Sequence, residues 1–344
     1  MKPFVVCDSI IIRQITTAFR KESNMFKVLI PRTISHTGTE YLKEKGCELL
    51  LSAPASLGDP VWEQCHAILT GPSRKLRYDK NLLDRCQNLK VISSFSAGVD
   101  YIDTVYAEKL GIQVTNSGDA NSNAVAEHTI FFMLACAKNH EIMTEAVKKS
   151  DFSIRKDVFN TELSGLTLGL IGFGNIGKLV SRKAAMGFDM KVIVYDHHLT
   201  PDNAPMGVTP VSSPEEVYKN ADFISLHVPY SEKNRYMIAK EQLDMMKPSA
   251  ILINVSRGGL IQEDDLIQAV KDKKIKGAAL DVFEKEPLPA DSSLLQYENI
   301  IVSPHCAANT RESLDRMELF AAMDIWRVLN GERPEFPVNH PKLP

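Results

Sequence analysis

Residues 165–196 read GLTLGLIGFGNIGKLVSRKAAMGFDMKVIVYD. Leu166–Phe173 is a short apolar run, and Gly172, Gly174 and Gly177 fall as G-x-G-x-x-G where it stops. That order predicts a strand, a tight turn and the start of a helix. The first glycine permits the turn, the second lets backbone approach a pyrophosphate, and the third lets helix pack closely on strand. The N–H groups left free at the helix start, with the positive end of its dipole, then face the phosphates. A second strand, Lys191–Tyr195, ends in Asp196, about 20 residues beyond the glycines, where a carboxylate accepts hydrogen bonds from the hydroxyls of a ribose. A 2′-phosphate would meet a negative charge there, so the stretch predicts a dinucleotide site that takes NAD. His197 and His198, beside the acid, read as solvated loop residues, and no metal site is expected.

Working outward, 344 residues are too many for one ordinary core and suit two domains. Lys plus Arg number 40 against 43 for Asp plus Glu, so a basic nucleic-acid footprint is excluded. No apolar run approaches the length of a membrane span. Cysteines at 7, 47, 65, 86, 136 and 306 form no C-x-x-C pair and no ligand-like cluster with histidine. They read as free thiols in a reducing cytosol, hence a cytoplasmic protein. Residues 1–24 hold a short apolar run broken by Asp8 and no cleavage-site pattern, and read as an N-terminal extension before Met25 opens the first strand.

From Met25 to about Ser117, strand-like runs at Lys27–Ile30, Cys47–Leu51, Ala67–Thr70, Lys90–Phe95 and Ile112–Thr115 alternate with helix-compatible segments. Such alternation implies βαβ units in a parallel sheet, whose ligands bind beyond the carboxyl ends of strands. The turns PRTISH, TGPSRK and SFSAGVDYID are therefore the expected substrate contacts. Asn121 to about Lys148 reads as one long helix, apolar nearly all round from Thr129 to Ala137, which suggests burial between domains or, preferably, in a dimer. Runs at Phe223–Val228, Ala250–Val255, Gly277–Leu280 and Ile300–Val302 make a second doubly wound sheet. A last helix starts at Asn309 with Glu312 in a capping-box-like pattern, carries a stripe of Leu314, Met317, Ala321, Ile325 and Val328, and stops at Gly331.

Three polar residues stand at strand ends in the second sheet: Arg257 after ILINVS, Glu286 in LDVFEKEP and His305 in VSPHCAAN. Together beside a nicotinamide they supply what hydride transfer to a 2-oxo acid needs. A guanidinium fork holds the carboxylate and the adjacent carbonyl, a protonated histidine gives its proton to the developing alkoxide, and a carboxylate orients that histidine and favours its charged form.

GLIGFGNIGK, INVSRGGLIQEDDLIQAV, ALDVFEKEPLP and SPHCAANT, in this order and spacing, resemble the D-isomer-specific 2-hydroxyacid dehydrogenase family, which includes phosphoglycerate, glyoxylate/hydroxypyruvate and D-lactate dehydrogenases. The resemblance covers nearly everything from Met25 to Pro337. It implies an α/β chain of two doubly wound parallel-sheet domains: a flavodoxin-like substrate domain over 25–120 and 307–344, and a Rossmann NAD-binding domain over 121–306. It further implies a homodimer and a small 2-oxo or 2-hydroxy acid as substrate, with the Arg257, Glu286 and His305 triad. By the same resemblance Asn175 and Ile176 touch the pyrophosphate, Val255 and Asp281 the nicotinamide side, and the backbone at Ala97 and Gly98 the substrate carboxylate. Relatives specific for phosphoglycerate tend to carry arginines where this chain has Thr70 and Ser94, with Arg74, Lys75 and Arg77 close by. Phe95 and Tyr101 suggest a less polar pocket. Two alternatives stay open: a phosphoglycerate dehydrogenase proper, and an NADH-responsive binding protein akin to the family's corepressors.

Overall fold

The computed structural model describes residues 25–32, 34–51, 58–72 and 76–341. The expected N-terminal extension, and Arg74 and Lys75, lie outside the described residues. The chain divides into two compact units, one taking it up to Gly118 and again from Asp315, the other Asp119–Leu314.

The first unit is built on five parallel strands: β1 (Lys27–Ile30), β2 (Glu48–Leu51), β3 (Ala67–Thr70), β4 (Val91–Ser94) and β5 (Gln113–Thr115), in the order β2-β1-β3-β4-β5. This is the flavodoxin-like order, with its switch point between β1 and β3. Every residue of β3 and β4 is buried, as expected for strands covered on both faces. The outer edge of β5 is closed by the end of the chain. Asn339 Oδ1 accepts the Val114 N–H at 2.6 Å, Asn339 Nδ2 donates to Ile112 O at 2.9 Å, and Val338 N–H donates to Val114 O at 2.9 Å.

The second unit holds seven parallel strands: β6 (Thr167–Ile171), β7 (Lys191–Tyr195), β8 (Val208–Pro210), β9 (Phe223–Leu226), β10 (Ile251–Asn254), β11 (Gly277–Leu280) and β12 (Ile300–Val302). Their order is β12-β11-β10-β9-β6-β7-β8, a Rossmann sheet whose order reverses between β6 and β9. Alternate side chains go to opposite faces. Leu168, Leu170, Phe223, Ile251 and Ile253 enter one apolar cluster, shared with the helices Ser122–Ala137 and Asn175–Phe188, while Ile171, Ile224, Leu226 and Leu252 enter the other. Among the described residues no helix is long and apolar enough to cross a membrane.

Four features differ from expectation. The stretch from Asn121 to Lys148 is two helices, Ser122–Ala137 and His140–Lys148, because Asn139 between them takes a left-handed conformation (φ 49°) and its side-chain amide donates to Phe159 O at 3.1 Å. β8 is a three-residue edge strand too short to leave a periodic signal. The last helix begins at Arg311, and Thr310 rather than Asn309 caps it, its Oγ1 accepting the Ser313 N–H at 3.1 Å. The second unit also runs past residue 306 to Leu314, since Asp281 holds the N–H groups of Cys306 and Ala307 and Ala307 lies in that unit's core.

Beside the apolar residues of the last helix, two acids are buried, Glu318 at 3% and Asp324 at 0% exposure. Glu318 Oε1 accepts the Ser35 N–H at 2.9 Å. Asp324 accepts the N–H groups of Glu335 (2.8 Å) and Phe336 (2.9 Å) and pairs with Arg327 at 2.7 Å, tying the chain after the helix back onto it. Asp324→Ala would strand these donors, and the expected loss of unfolding free energy is about 2–4 kcal/mol, measured by denaturant titration. A loss within about 0.5 kcal/mol, the range of ordinary surface substitutions, would contradict this account.

Candidate functional site

At the switch point of the second sheet the chain turns sharply after β6. Gly172 has φ 98°, and a Cβ there would come within 2.5 Å of His227 O, on the segment that follows β9. Gly177 faces the same turn, where a Cβ would stand 2.5 Å from Gly172 O. At Gly174 a Cβ would meet nothing within 4 Å, so the backbone there borders open space. The helix Asn175–Phe188 starts next, with Asn175, Ile176 and Gly177 in its first turn, and unsatisfied first-turn N–H groups make a helix start an anion site.

Asp196, just after β7, closes this arrangement. Its Oδ2 accepts the Phe173 N–H and its Oδ1 the His198 N–H, both at 2.8 Å. These two bonds fix the carboxylate yet leave lone pairs for further donors. A cavity of ≈ 650 Å³, lined by Phe173, Leu179, Arg182, Leu199 and Met206 among others, adjoins the carboxylate. Residues that can hold the ribose and pyrophosphate of a dinucleotide are thus gathered at the ends of β6 and β7. His227, beneath the glycine turn, carried no sequence signal. Burial pushes its pKa down to about 4, so its ring is neutral at physiological pH, with Nε2 3.0 Å from Ser225 Oγ.

Arg257, Glu286 and His305 follow β10, β11 and β12, three adjacent strands. His305 Nδ1 lies 2.8 Å from Glu286 Oε2, the histidine half-exposed and the glutamate less so. Glu286 Oε1 also accepts the Phe283 N–H at 3.2 Å. The hydrogen bond to Glu286 raises the His305 pKa; burial opposes the rise, the charges of Glu286 and Asp281 add to it, and that of Arg257 opposes it. Arg257 Nη1 donates to Ser256 O at 2.8 Å. Its loop is fixed by the fully buried Asn254, whose Nδ2 donates to Arg257 O at 2.8 Å and whose Oδ1 accepts the Ser256 N–H at 3.0 Å. Val255, next to it, is buried.

Asp281, 1% exposed, accepts the N–H groups of Cys306 and Ala307, each at 2.8 Å, and a short hydrogen bond from Ser303 Oγ. His128 Nε2 stands 3.0 Å from that same Ser303 Oγ. His128, Asp281 and Cys306 could together face a metal ion. The Asp281 oxygens are already committed to three donors of the loop, so the group reads as a structural clasp. Neither His128 nor Ser303 was foreseen: each lies in a segment whose apolar pattern drew the reading.

Ala97 and Gly98 belong to the first unit. Asn116 Nδ2 donates to Ala97 O at 2.9 Å and Ser96 Oγ to Gly98 O at 2.6 Å, while their N–H groups have no acceptor among the described residues. Arg77 Nη2 donates to Asp100 O at 3.3 Å. Phe95 and Tyr101, expected to line a less polar pocket, are 5% and 8% exposed, and the Tyr101 hydroxyl donates to Ser94 Oγ at 2.7 Å. They are packing residues, because the turn after β3 closes over the Phe95 ring.

Residues 130–307 match the sequence model of the D-isomer specific 2-hydroxyacid dehydrogenase NAD binding domain. A D-3-phosphoglycerate dehydrogenase of Methanocaldococcus jannaschii is 43% identical over 266 residues, 77% of this chain but 50% of that protein, so the chain spans about half its length. A glyoxylate reductase of Thermofilum pendens is 35% identical over 274 residues, 76% of this chain and 78% of that protein. The crystal structure of D-lactate dehydrogenase with NAD+ from Lactobacillus jensenii superposes with a TM-score of 0.77 at 29% identity, covering 92% of this chain and 100% of that one.

Asp196→Ala removes the carboxylate that accepts the Phe173 and His198 N–H groups while leaving the glycine turn in place. Weaker NADH binding and a narrowed preference for NADH over NADPH are expected, read from titrations of both cofactors; an unchanged preference would remove Asp196 from the ribose site.

Proposed function

The chain belongs to the D-isomer specific 2-hydroxyacid dehydrogenase family, and from that premise we propose that it is an NAD-dependent enzyme interconverting a small 2-oxo acid and its D-2-hydroxy acid. The observation that carries this reading is the 2.8 Å contact of His305 Nδ1 with Glu286, on adjacent strand ends beside Arg257. The residues fit the cofactor. Gly174 borders open space, Asp196 keeps lone pairs for hydroxyl donors, and the helix start offers N–H groups to phosphate. When bound there, the nicotinamide supplies the hydride that reduces the carbonyl carbon.

The chain's own residues do the rest. Arg257 holds the substrate carboxylate and polarises the neighbouring carbonyl through charge-assisted bonds worth roughly 1.5–3 kcal/mol each. Glu286 occupies Nδ1 of His305 and so leaves Nε2 as the atom that hands its proton to the developing alkoxide oxygen. In the reverse direction the same nitrogen takes the hydroxyl proton. Backbone N–H groups of Ala97 and Gly98 serve the substrate carboxylate under this reading. A second reading, D-3-phosphoglycerate dehydrogenase, is favoured by the name of the relative from M. jannaschii.

The test is NADH oxidation with glyoxylate, hydroxypyruvate, pyruvate, branched 2-oxo acids and 3-phosphohydroxypyruvate. Silence with all of them, with NADH still bound, would overturn the enzyme reading in favour of a binding protein. His305→Gln should lose at least ~100-fold in reduction while still binding NADH, since only the proton donor is removed. Reduction needs His305 protonated, so its rate is full at low pH and falls as pH rises through a pKa held above the ordinary histidine value. Glu286→Gln removes the largest cause of that rise. The alkaline decline should therefore move to lower pH, and a decline left in place would refute Glu286 as its cause.

A further inference from the structure

The first unit has a switch point of its own, between β1 and β3, and in doubly wound sheets ligands bind beyond the carboxyl ends of strands at such a point. Arg32 stands there. It lies just after β1, and its Nη1 reaches across to the segment after β3, donating to Pro72 O at 3.1 Å. The guanidinium carbon lies 5.3 Å from the centroid of the Phe95 ring, at the head of the loop that continues through Ser96 to Ala97 and Gly98. The ring beneath it is held firmly: a Cβ at Gly71 would come within 2.4 Å of its edge.

A carbonyl oxygen and an aromatic face position a guanidinium but leave its charge unneutralised. Arg32 is exposed, and among the described residues no carboxylate pairs with it. Phe95 and Tyr101 are buried, so what this part of the loop offers to a ligand is a fixed cation and not an apolar wall. A planar fork with spare N–H groups matches the oxygens of a carboxylate or a phosphate. The signal lay in the turn PRTISH, whose arginine follows the strand directly.

We propose that Arg32 is a specificity-determining residue that binds a second anionic group on the substrate, so that the preferred substrates are 2-oxo acids carrying a phosphate or a further carboxylate at the end away from the reacting carbonyl. The inference rests on the dehydrogenase reading above. Under it the Ala97 and Gly98 N–H groups take the first carboxylate and Arg32 the second anion.

The test compares the wild type, Arg32→Gln and Arg32→Lys in NADH oxidation with two dianionic families, 3-phosphohydroxypyruvate and the dicarboxylates oxaloacetate and 2-oxoglutarate, and with the monoanions pyruvate and 2-oxobutyrate. Glutamine keeps a donor for Pro72 O and removes the charge. The ratio of kcat/KM for dianion over monoanion should fall about 10- to 100-fold in Arg32→Gln, with part of it restored in Arg32→Lys. The dianion that shows the larger fall identifies the group as phosphate or carboxylate. A ratio unmoved in Arg32→Gln, including equal losses on both classes as a merely structural role would give, overturns the inference. So does a wild type that favours the monoanions by a wide margin. In both cases the dehydrogenase reading stands, because the wild type is active. A wild type silent with every 2-oxo acid overturns that reading, and this one with it.

Discussion

The hydrogen bonding of one buried carboxylate sets the turn that carries His305 in the second unit. Asp281 sits at the end of β11 with 1% of its surface exposed, where an ionised acid is tolerated only if donors surround it. Its donors are Ser303 Oγ and the N–H groups of Cys306 and Ala307, all from the segment that leaves β12. His305 lies between them with φ 52°, a left-handed conformation that a non-glycine residue holds only where its surroundings impose it. The clasp thus imposes the turn, and the turn presents the imidazole to Glu286. His128 extends the chain of bonds. Since Ser303 Oγ gives its hydrogen to Asp281, it accepts one from His128 Nε2, and burial, which lowers the His128 pKa against the pull of Asp281, favours the neutral ring with its proton on that nitrogen.

A steric constraint joins the other two members of the triad. A Cβ at Gly258 would stand 1.9 Å from the carbonyl carbon of Phe283, so the loop carrying Arg257 and the segment leading to Glu286 are in backbone contact. Any side chain at Gly258 would drive them apart. Asn254, at the end of β10, completes the arrangement by bonding both to Arg257 O and to the Ser256 N–H, while Ser256 Oγ ties the loop to Leu226 O at 2.8 Å. Arg257, Glu286 and His305 therefore rest on backbone that is over-determined by small and polar residues. This is the arrangement by which a site stays within the fraction of an ångström that its chemistry requires.

What was legible in the sequence is what rests on period and punctuation. Runs of branched and apolar residues located eleven of the twelve described strands, most plainly β9, β10 and β11, since a strand buried on both faces needs such residues throughout. The glycines of the turn after β6 announced themselves because a positive φ and close backbone approach leave few alternatives. What was not legible depends on partners distant in sequence. Glu318 and Asp324 sit beside the apolar stripe of the last helix, where the helical period says nothing of their burial, and their donors come from Ser35 and from Glu335 and Phe336. The break at Asn139 shows the same limit, since both flanking segments are good helix and only the bond from its side chain to Phe159 O reveals why the chain turns. Phe95 and Tyr101 misled for a related reason: aromatic residues in a loop suggest a lining until the packing over them is known.

The two sheets apply one geometric rule to different chemistry. At the switch point of the seven-stranded sheet Gly172 and Gly177 let the turn close on its neighbours and Gly174 borders open space, and backbone N–H groups with one carboxylate suit a ligand that brings its own phosphates and hydroxyls. At the switch point of the five-stranded sheet no glycine turn among the described residues opens a comparable cradle: the segments after β1 and β3 are bridged by Arg32 on Pro72, with an aromatic ring beneath. A cradle of N–H groups recognises a shape shared by every dinucleotide, whereas a single guanidinium on a loop answers to the charge and length of one ligand. On the proposed reading, the requirement common to such enzymes rests on backbone, which substitution alters little, and the variable requirement on side chains, which a single substitution can change.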